Sequence, residues 1–220
     1  AEEHGITREE SDQFAVRSHS MANEAWEKGW INEEVFPVGS LSIDEGIRPE
    51  TNEKILSSLR TVFSENGQVT AGNASQVSDG ASAVLIASEE KAKREGWPIL
   101  ARIVEYATSG VESSRVMSAP IPTVKNLLKM PGMRLEDVDI LEHNEAFASA
   151  SCAIRDSLGI PDESFNPHGG AIAIGHPLGA TGARCLMTLV NAMRRRESRR
   201  GIVTVCLGGG NAVAMMVECP

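Results

Sequence analysis

Between Thr7 and Gly29 the chain sets Phe14, Ser18, Met21 and Ala25 on one face at helical spacing. Thr7-Arg8-Glu9-Glu10 opens this stretch with the spacing of a capping box, in which a hydroxyl and a carboxylate satisfy each other's orphan backbone donors. Gly29 predicts the stop. From Ile31 to Pro49, Pro37, Gly39, Gly46 and Pro49 interrupt any period, so irregular or extended chain is expected. Ile55, Leu59, Val62 and Phe63 then predict a second amphipathic helix ending near Gly67.

From Ala81 the texture changes. Ala83 to Ile86 reads as a buried strand, Glu89 to Glu95 as a short helix, and Ile99 to Ala107 as a second strand with partial alternation. Pro122 to Lys129 predicts another helix, Val138 to Leu141 a short strand, and Glu145 to Leu158 a helix with Phe147, Ala150, Ile154 and Leu158 on one face and Gly159 at its end. A glycine-rich loop precedes a helix from about Ala180 to Arg195, whose inner side is read as Ala183, Leu186, Met187, Val190 and Met193. Two apolar strands, Ile202 to Leu207 and Val213 to Val217, close the chain around Gly208-Gly209-Gly210-Asn211. Alternating strands and helices that end in a hairpin indicate an α/β layered domain with a sheet covered on both faces. Residues 1 to about 77 read as an appended, loop-rich segment.

Composition narrows the function. With 220 residues, of which 41% are hydrophobic, the chain can bury a sizeable core. A formal charge of -9 would repel a phosphate backbone, so nucleic acid is not an expected partner. The one basic cluster, Arg194 to Arg200, reads as a solvated helix end complementing the macrodipole. Cys152, Cys185, Cys206 and Cys219 are widely spaced in apolar stretches without a CxxC pair, which predicts a reducing, cytoplasmic setting. No apolar run has membrane-spanning length, so no membrane partner is expected. The chain opens without methionine, and the helical pattern is under way before Met21, which points to processing or a fragment.

The glycines invite a phosphate-binding reading, and the templates fail. Gly170 and Gly175 have P-loop spacing, but His176-Pro177 stands where the lysine and hydroxyl are needed. Gly208 and Gly210 begin a dinucleotide pattern, yet Val213 occupies the third glycine position and a strand follows. Glycines that let backbone approach a ligand, with Asn144, His176 and Cys206 beside them at strand and helix ends, explain the pattern better. Singly, each residue has an ordinary structural role: a helix cap, a satisfied histidine, a small buried hydrophobe.

Taken together, Asn144-Glu145-Ala146-Phe147, Gly169-Gly170-Ala171-Ile172-Ala173-Ile174-Gly175-His176-Pro177-Leu178-Gly179-Ala180-Thr181-Gly182 and Cys206-Leu207-Gly208-Gly209-Gly210 resemble the three carboxy-terminal signatures of the thiolases. Thr70-Ala71-Gly72-Asn73-Ala74-Ser75 with Asp79-Gly80-Ala81 resembles the family's segment beside the pantetheine arm. The resemblance implies a thiolase-like layered domain with a mixed central sheet. Residues 1–77 would be the second part of a loop domain with coenzyme A contacts, and residues 78–220 the carboxy-terminal catalytic domain.

It also implies roles. Cys206 would move the α-proton of an acyl-CoA, a task that suits a thiol whose surroundings lower its proton affinity toward neutrality. His176 would donate to the thioester oxygen, helped by a water on Asn144, and would assist the nucleophile; the Gly208 backbone N–H would serve a second oxyanion hole. Arg48, Phe63, Ala71 and Ser75 match positions along coenzyme A, which is a substrate and not a permanently bound cofactor.

Two departures stand out. No cysteine here matches the family's acylated nucleophile, so the chain alone is expected to be inactive and to need an N-terminal half carrying that group. His168 replaces a common asparagine, which should alter a loop hydrogen bond and not the reaction. The implied activity is an acyl-CoA C-acyltransferase, by Claisen condensation or thiolytic cleavage, in a homodimer or homotetramer. A non-catalytic coenzyme-A-binding partner and a ketoacyl-synthase relative are the competing readings. The Cys206-x-Gly-Gly-Gly ending disfavours the latter.

Overall fold

The computed structural model describes residues 1–220. Helix α1 spans Arg8–Glu27, and its start is the capping box read from the sequence: Thr7 accepts from Glu10 N–H while the Glu10 carboxylate accepts from Thr7 N–H at 2.7 Å. Phe14, Ser18 and Ala25 are buried, as the periodicity requires. Arg8 then crosses to the next helix, α2 (Glu53–Ser57), donating to the carbonyls of Leu56 and Leu59 at 2.7 and 3.1 Å.

Helix α2 has five residues only, which corrects the longer helix expected here. After Ser58 the chain turns, Thr61 pairs with Thr70 in an isolated bridge, and Val62 and Phe63 are left exposed. Apolar spacing over a short window cannot separate a helix face from a loop whose side chains point outward.

The sheet has four strands in the order β1 (Arg102–Gly110), β4 (Asn211–Glu218), β3 (Arg200–Leu207), β2 (Ile140–His143). β1 and β3 are antiparallel to β4, whereas β2 and β3 are parallel, so the sheet is mixed. Helices α4 (Pro120–Lys129) and α5 (Ala148–Leu158) pack on one face, where Val124, Leu127, Ile154, Ile202 and Met216 share a core that also takes in Phe14 of α1 and Leu56 of α2. On the other face lies α7 (Thr181–Arg195). Its Cys185, Leu189, Ala192 and Met193 pack on Ile140, Val203 and Val205. At Gly201 of β3 an added Cβ would lie 2.5 Å from Met193 Sδ and 2.7 Å from Leu189 Cδ1, so this glycine sets how closely α7 approaches.

The inner side of α7 overlaps the one read off the sequence at Met193, with Leu186 and Val190 half-buried against the same core, and adds Cys185, Leu189 and Ala192, which the reading left out. Both sides of this helix are apolar: Leu186, Met187 and Val190 face an open groove of about 730 Å³. Across that groove lie Val84, Leu85 and Ile86, which form no strand and are exposed at 39, 78 and 64%. An apolar run becomes a strand only where a neighbouring strand meets its backbone donors and acceptors, and residues 83–86 have no such neighbour. Helix α3 follows at Glu89–Glu95 as read.

In the cationic run, Arg194, Arg195, Arg196 and Arg199 are exposed at and beyond the end of α7, as read, and surface contacts tether several of the five arginines. Arg194 pairs with Glu33, Arg195 lies 3.6 Å above the Trp30 ring, and Arg200 pairs with Glu218. All four cysteines are free, and no helix is long and apolar enough to cross a membrane.

Candidate functional site

Two parallel strands joined through helices must have the chain carried back from the end of the first to the start of the second. β2 and β3 are such a pair, and α7, packed on both, makes the return. The start of α7 therefore lies at the carboxyl edge of β2 and β3, the edge where ligands bind in open α/β sheets. Asn144 directly follows β2, Cys206 is the penultimate residue of β3, and His176 precedes α7.

Asn144 is fully buried. Its side-chain oxygen accepts from Cys206 N–H at 3.2 Å, and its Nδ2 donates toward Cys206 Sγ at 3.4 Å. Burial raises the Cys206 thiol above its ordinary value, against the opposing pull of the Asn144 bond. This direction is opposite to the lowered thiol expected for a proton-transfer group, because the cost of burying a thiolate outweighs one amide donor.

His176 is anchored by its backbone, whose N–H donates to Gln76 O at 3.0 Å. Its Nδ1 lies 2.7 Å from Thr181 Oγ1. Burial first, and then the charge of Arg184, lower its proton affinity and keep the imidazole neutral at neutral pH. Gly208 lies in the turn between β3 and β4, the second glycine-rich segment at this edge.

Glu145, given no role in the sequence reading, organises the glycine-rich loop. It is fully buried with φ of 53°, and its carboxylate accepts from Ser18 Oγ at 2.6 Å, Asn166 Nδ2 at 2.8 Å and Ile172 N–H at 3.4 Å. Burial raises its proton affinity, and the Ser18 and Asn166 bonds oppose that rise. At Gly170 an added Cβ would come within 2.6 Å of Glu145 Oε2 and 2.8 Å of its Cγ. Gly170 opens the four-residue helix α6 (Ala171–Ile174), also unforeseen, which leads to His176. The available signal was Glu145 itself, a carboxylate set between Asn144 and an apolar helix.

Beneath this layer Arg184 meets Glu142 at 2.9 Å, and burial pushes the Glu142 carboxyl up to about 8 against that attraction. The residue that departs from the family pattern, His168, accepts from Arg195 Nε at 3.2 Å and packs on Trp30 with ring centroids 5.5 Å apart.

The positions matched to coenzyme A divide. Ser75 N–H donates to Ala146 O at 3.0 Å, and Phe63, though exposed, meets Phe147 edge-on at 6.3 Å, so both adjoin the segment that follows Asn144. Ala71 is exposed nearby in the turn beginning at Thr70. Arg48 is exposed elsewhere, its backbone N–H donating to His19 Nδ1 at 3.2 Å, and no hydrogen bond ties it to the other three.

Comparison with known proteins gives the same frame. The family model described as "Thiolase, C-terminal domain" matches residues 97–219, and "Thiolase, N-terminal domain" matches residues 1–90. The chain is 41% identical over 235 residues to a 3-ketoacyl-CoA thiolase of Bacillus subtilis (strain 168), covering 99% of this chain and 60% of the relative. It is 42% identical over 226 residues to an acetyl-CoA acetyltransferase of Escherichia coli (strain K12), covering 99% and 57%. The crystal structure of human mitochondrial 3-ketoacyl-CoA thiolase in complex with CoA superposes with a TM-score of 0.97 at 41% identity, over 100% of this chain and 57% of that one. The chain thus spans about three fifths of the length of the curated relatives it matches. With a mixed sheet covered by helices, the Asn144 segment and two glycine-rich segments at one sheet edge, and a family model matching more than half of its residues, the chain belongs to the thiolase family.

Proposed function

We propose that this chain supplies the proton-transfer and oxyanion-binding part of an acyl-CoA C-acyltransferase that joins acyl-CoAs by Claisen condensation or cleaves a 3-oxoacyl-CoA with coenzyme A. The observation that carries this reading is the contact between Asn144 and Cys206 at the carboxyl edge of β2 and β3. Cys206 takes the α-proton of the incoming acyl-CoA. His176 and a water held by Asn144 donate to the thioester oxygen as enolate charge develops, each donor contributing about 2.7 to 4 kcal/mol. The Gly208 N–H serves the second oxyanion hole. Phe63, Ala71 and Ser75 line the pantetheine path, and Arg48 meets the nucleotide end. The division at residues 77 and 78 separates these contacts from the catalytic domain.

Covalent acyl transfer needs a nucleophile distinct from the base. None of Cys152, Cys185 and Cys219 lies in the sequence context of the family's acylated cysteine, and burial pushes the Cys152 and Cys185 thiols up to about 12, which disfavours the thiolate a nucleophile needs; the acylated cysteine is assigned to a further N-terminal part. Assembly as a homodimer or homotetramer in the cytoplasm completes the proposal.

Deuterium exchange at the α-carbon of acetyl-CoA in heavy water tests it, with the chain alone and with the chain joined to an N-terminal thiolase part. Exchange that Cys206→Ala abolishes supports the assignment. Coenzyme A binding without exchange in the joined enzyme would instead identify a non-catalytic coenzyme-A-binding subunit.

A further inference from the structure

The Thr181 hydroxyl has one hydrogen and two acceptors within reach, His176 Nδ1 at 2.7 Å and Pro177 O at 2.9 Å. The Pro177 carbonyl already receives the N–H groups of Ala180 at 2.9 Å and Thr181 at 3.0 Å, so both of its lone pairs are served. His176 Nδ1 has no other partner in the chain. Thr181 is 1% exposed, which leaves no room for solvent to take the hydrogen. The backbone from which the ring extends is held in place by Gln76 O, which accepts the His176 N–H at 3.0 Å.

We propose that Thr181 is a positioning residue that donates to Nδ1 and thereby fixes the single proton of neutral His176 on Nε2. A histidine whose other nitrogen is occupied by a donor has its tautomer chosen for it. Resting on the reading above, this presents the thioester oxygen with an N–H rather than a lone pair, and the donor is in place before charge develops. A buried hydroxyl that could not donate would leave the tautomers to compete, and part of the population would face the enolate with a repelling lone pair.

Nitrogen NMR of the 220-residue chain labelled at histidine tests this without substrate. The His176 resonances are assigned by their loss in His176→Gln. In the wild type, Nδ1 should resonate as an unprotonated, pyridine-like nitrogen and Nε2 as a protonated, pyrrole-like one. Thr181→Val should mix the two tautomers, and Thr181→Ser should restore the single form. A wild-type ring protonated on Nδ1, or a Thr181→Val chain that keeps the wild-type tautomer, overturns the proposal. If the valine variant does not fold, the wild-type spectrum still decides. Because no turnover is read, an absence of α-proton exchange would refute the functional reading and leave this result untouched.

Discussion

The Asn144 carboxamide holds Cys206 at two points, accepting from its backbone N–H at 3.2 Å and donating toward its sulfur at 3.4 Å. Asn144→Ala removes both contacts inside a buried layer. The expected loss of stability is about 1 to 3 kcal/mol, the usual cost of a buried donor left unpaired. Since the Asn144 bond is what opposes the upward shift of the thiol, Cys206 should need a higher pH to react. Alkylation rates against pH, with the modified cysteine identified by mass, measure this; an unchanged profile would show that the amide does not act on the sulfur.

Gly170→Ala should cost roughly 1 to 3 kcal/mol, as expected when extra volume is forced into a packed site. The added methyl meets the Glu145 side chain and not open space. Denaturant titration gives the loss. Glu145→Ala carries its own cost from the lost bonds to Ser18, Asn166 and Ile172, but in that background Gly170→Ala should cost less than in the parent, which a purely local backbone effect would not do.

The pH dependence of stability follows from three buried histidines. His19, His143 and His168 are pushed by burial from 6.5 down to about 4, 3 and 4. Below pH 6.5 the unfolded chain binds protons that the folded chain refuses, so this contribution is complete above 6.5 and drains away as pH falls toward 4. The buried carboxyls Glu142 and Glu145 are raised and work in the opposite direction. His143→Gln isolates one histidine: the slope of stability against pH between 6.5 and 4 should flatten by about 1.4 kcal/mol per unit. Denaturation series at stepped pH read the slope directly.

Thr7→Ala dismantles the capping box at the start of α1 and should cost about 0.5 to 2 kcal/mol. Thermal melting would register it, with Thr7→Ser close to the parent.

How far the sequence could be read depended on whether the deciding interaction was local. The start of α1 and the bounds of α3 were legible because hydroxyl, carboxylate and glycine act within one helical turn. Val84 to Ile86 misled because strand formation is decided by a neighbour's backbone, which periodicity does not contain. The orientation of α7 was legible only in part, because Leu186 and Val190 lie half-buried at the border between the sheet core and the open groove, and their spacing alone does not single out Cys185, Leu189 and Ala192 as the buried centre. Of the site, Asn144, His176 and Cys206 could be named through the family's signatures. Glu145 was passed over, since what makes it important is three donors converging from Ser18, Asn166 and Ile172.

The crowding between positions 145 and 170 bears on how this loop can change over time. The carboxylate fills the volume that any side chain at 170 would claim, so the two positions share one allotment of space. Alanine at 170 finds free volume only where residue 145 is shorter. Shortening residue 145 by itself gives up the bonds to Ser18, Asn166 and Ile172, so either single step passes through a destabilised intermediate and the two positions are bound to change together.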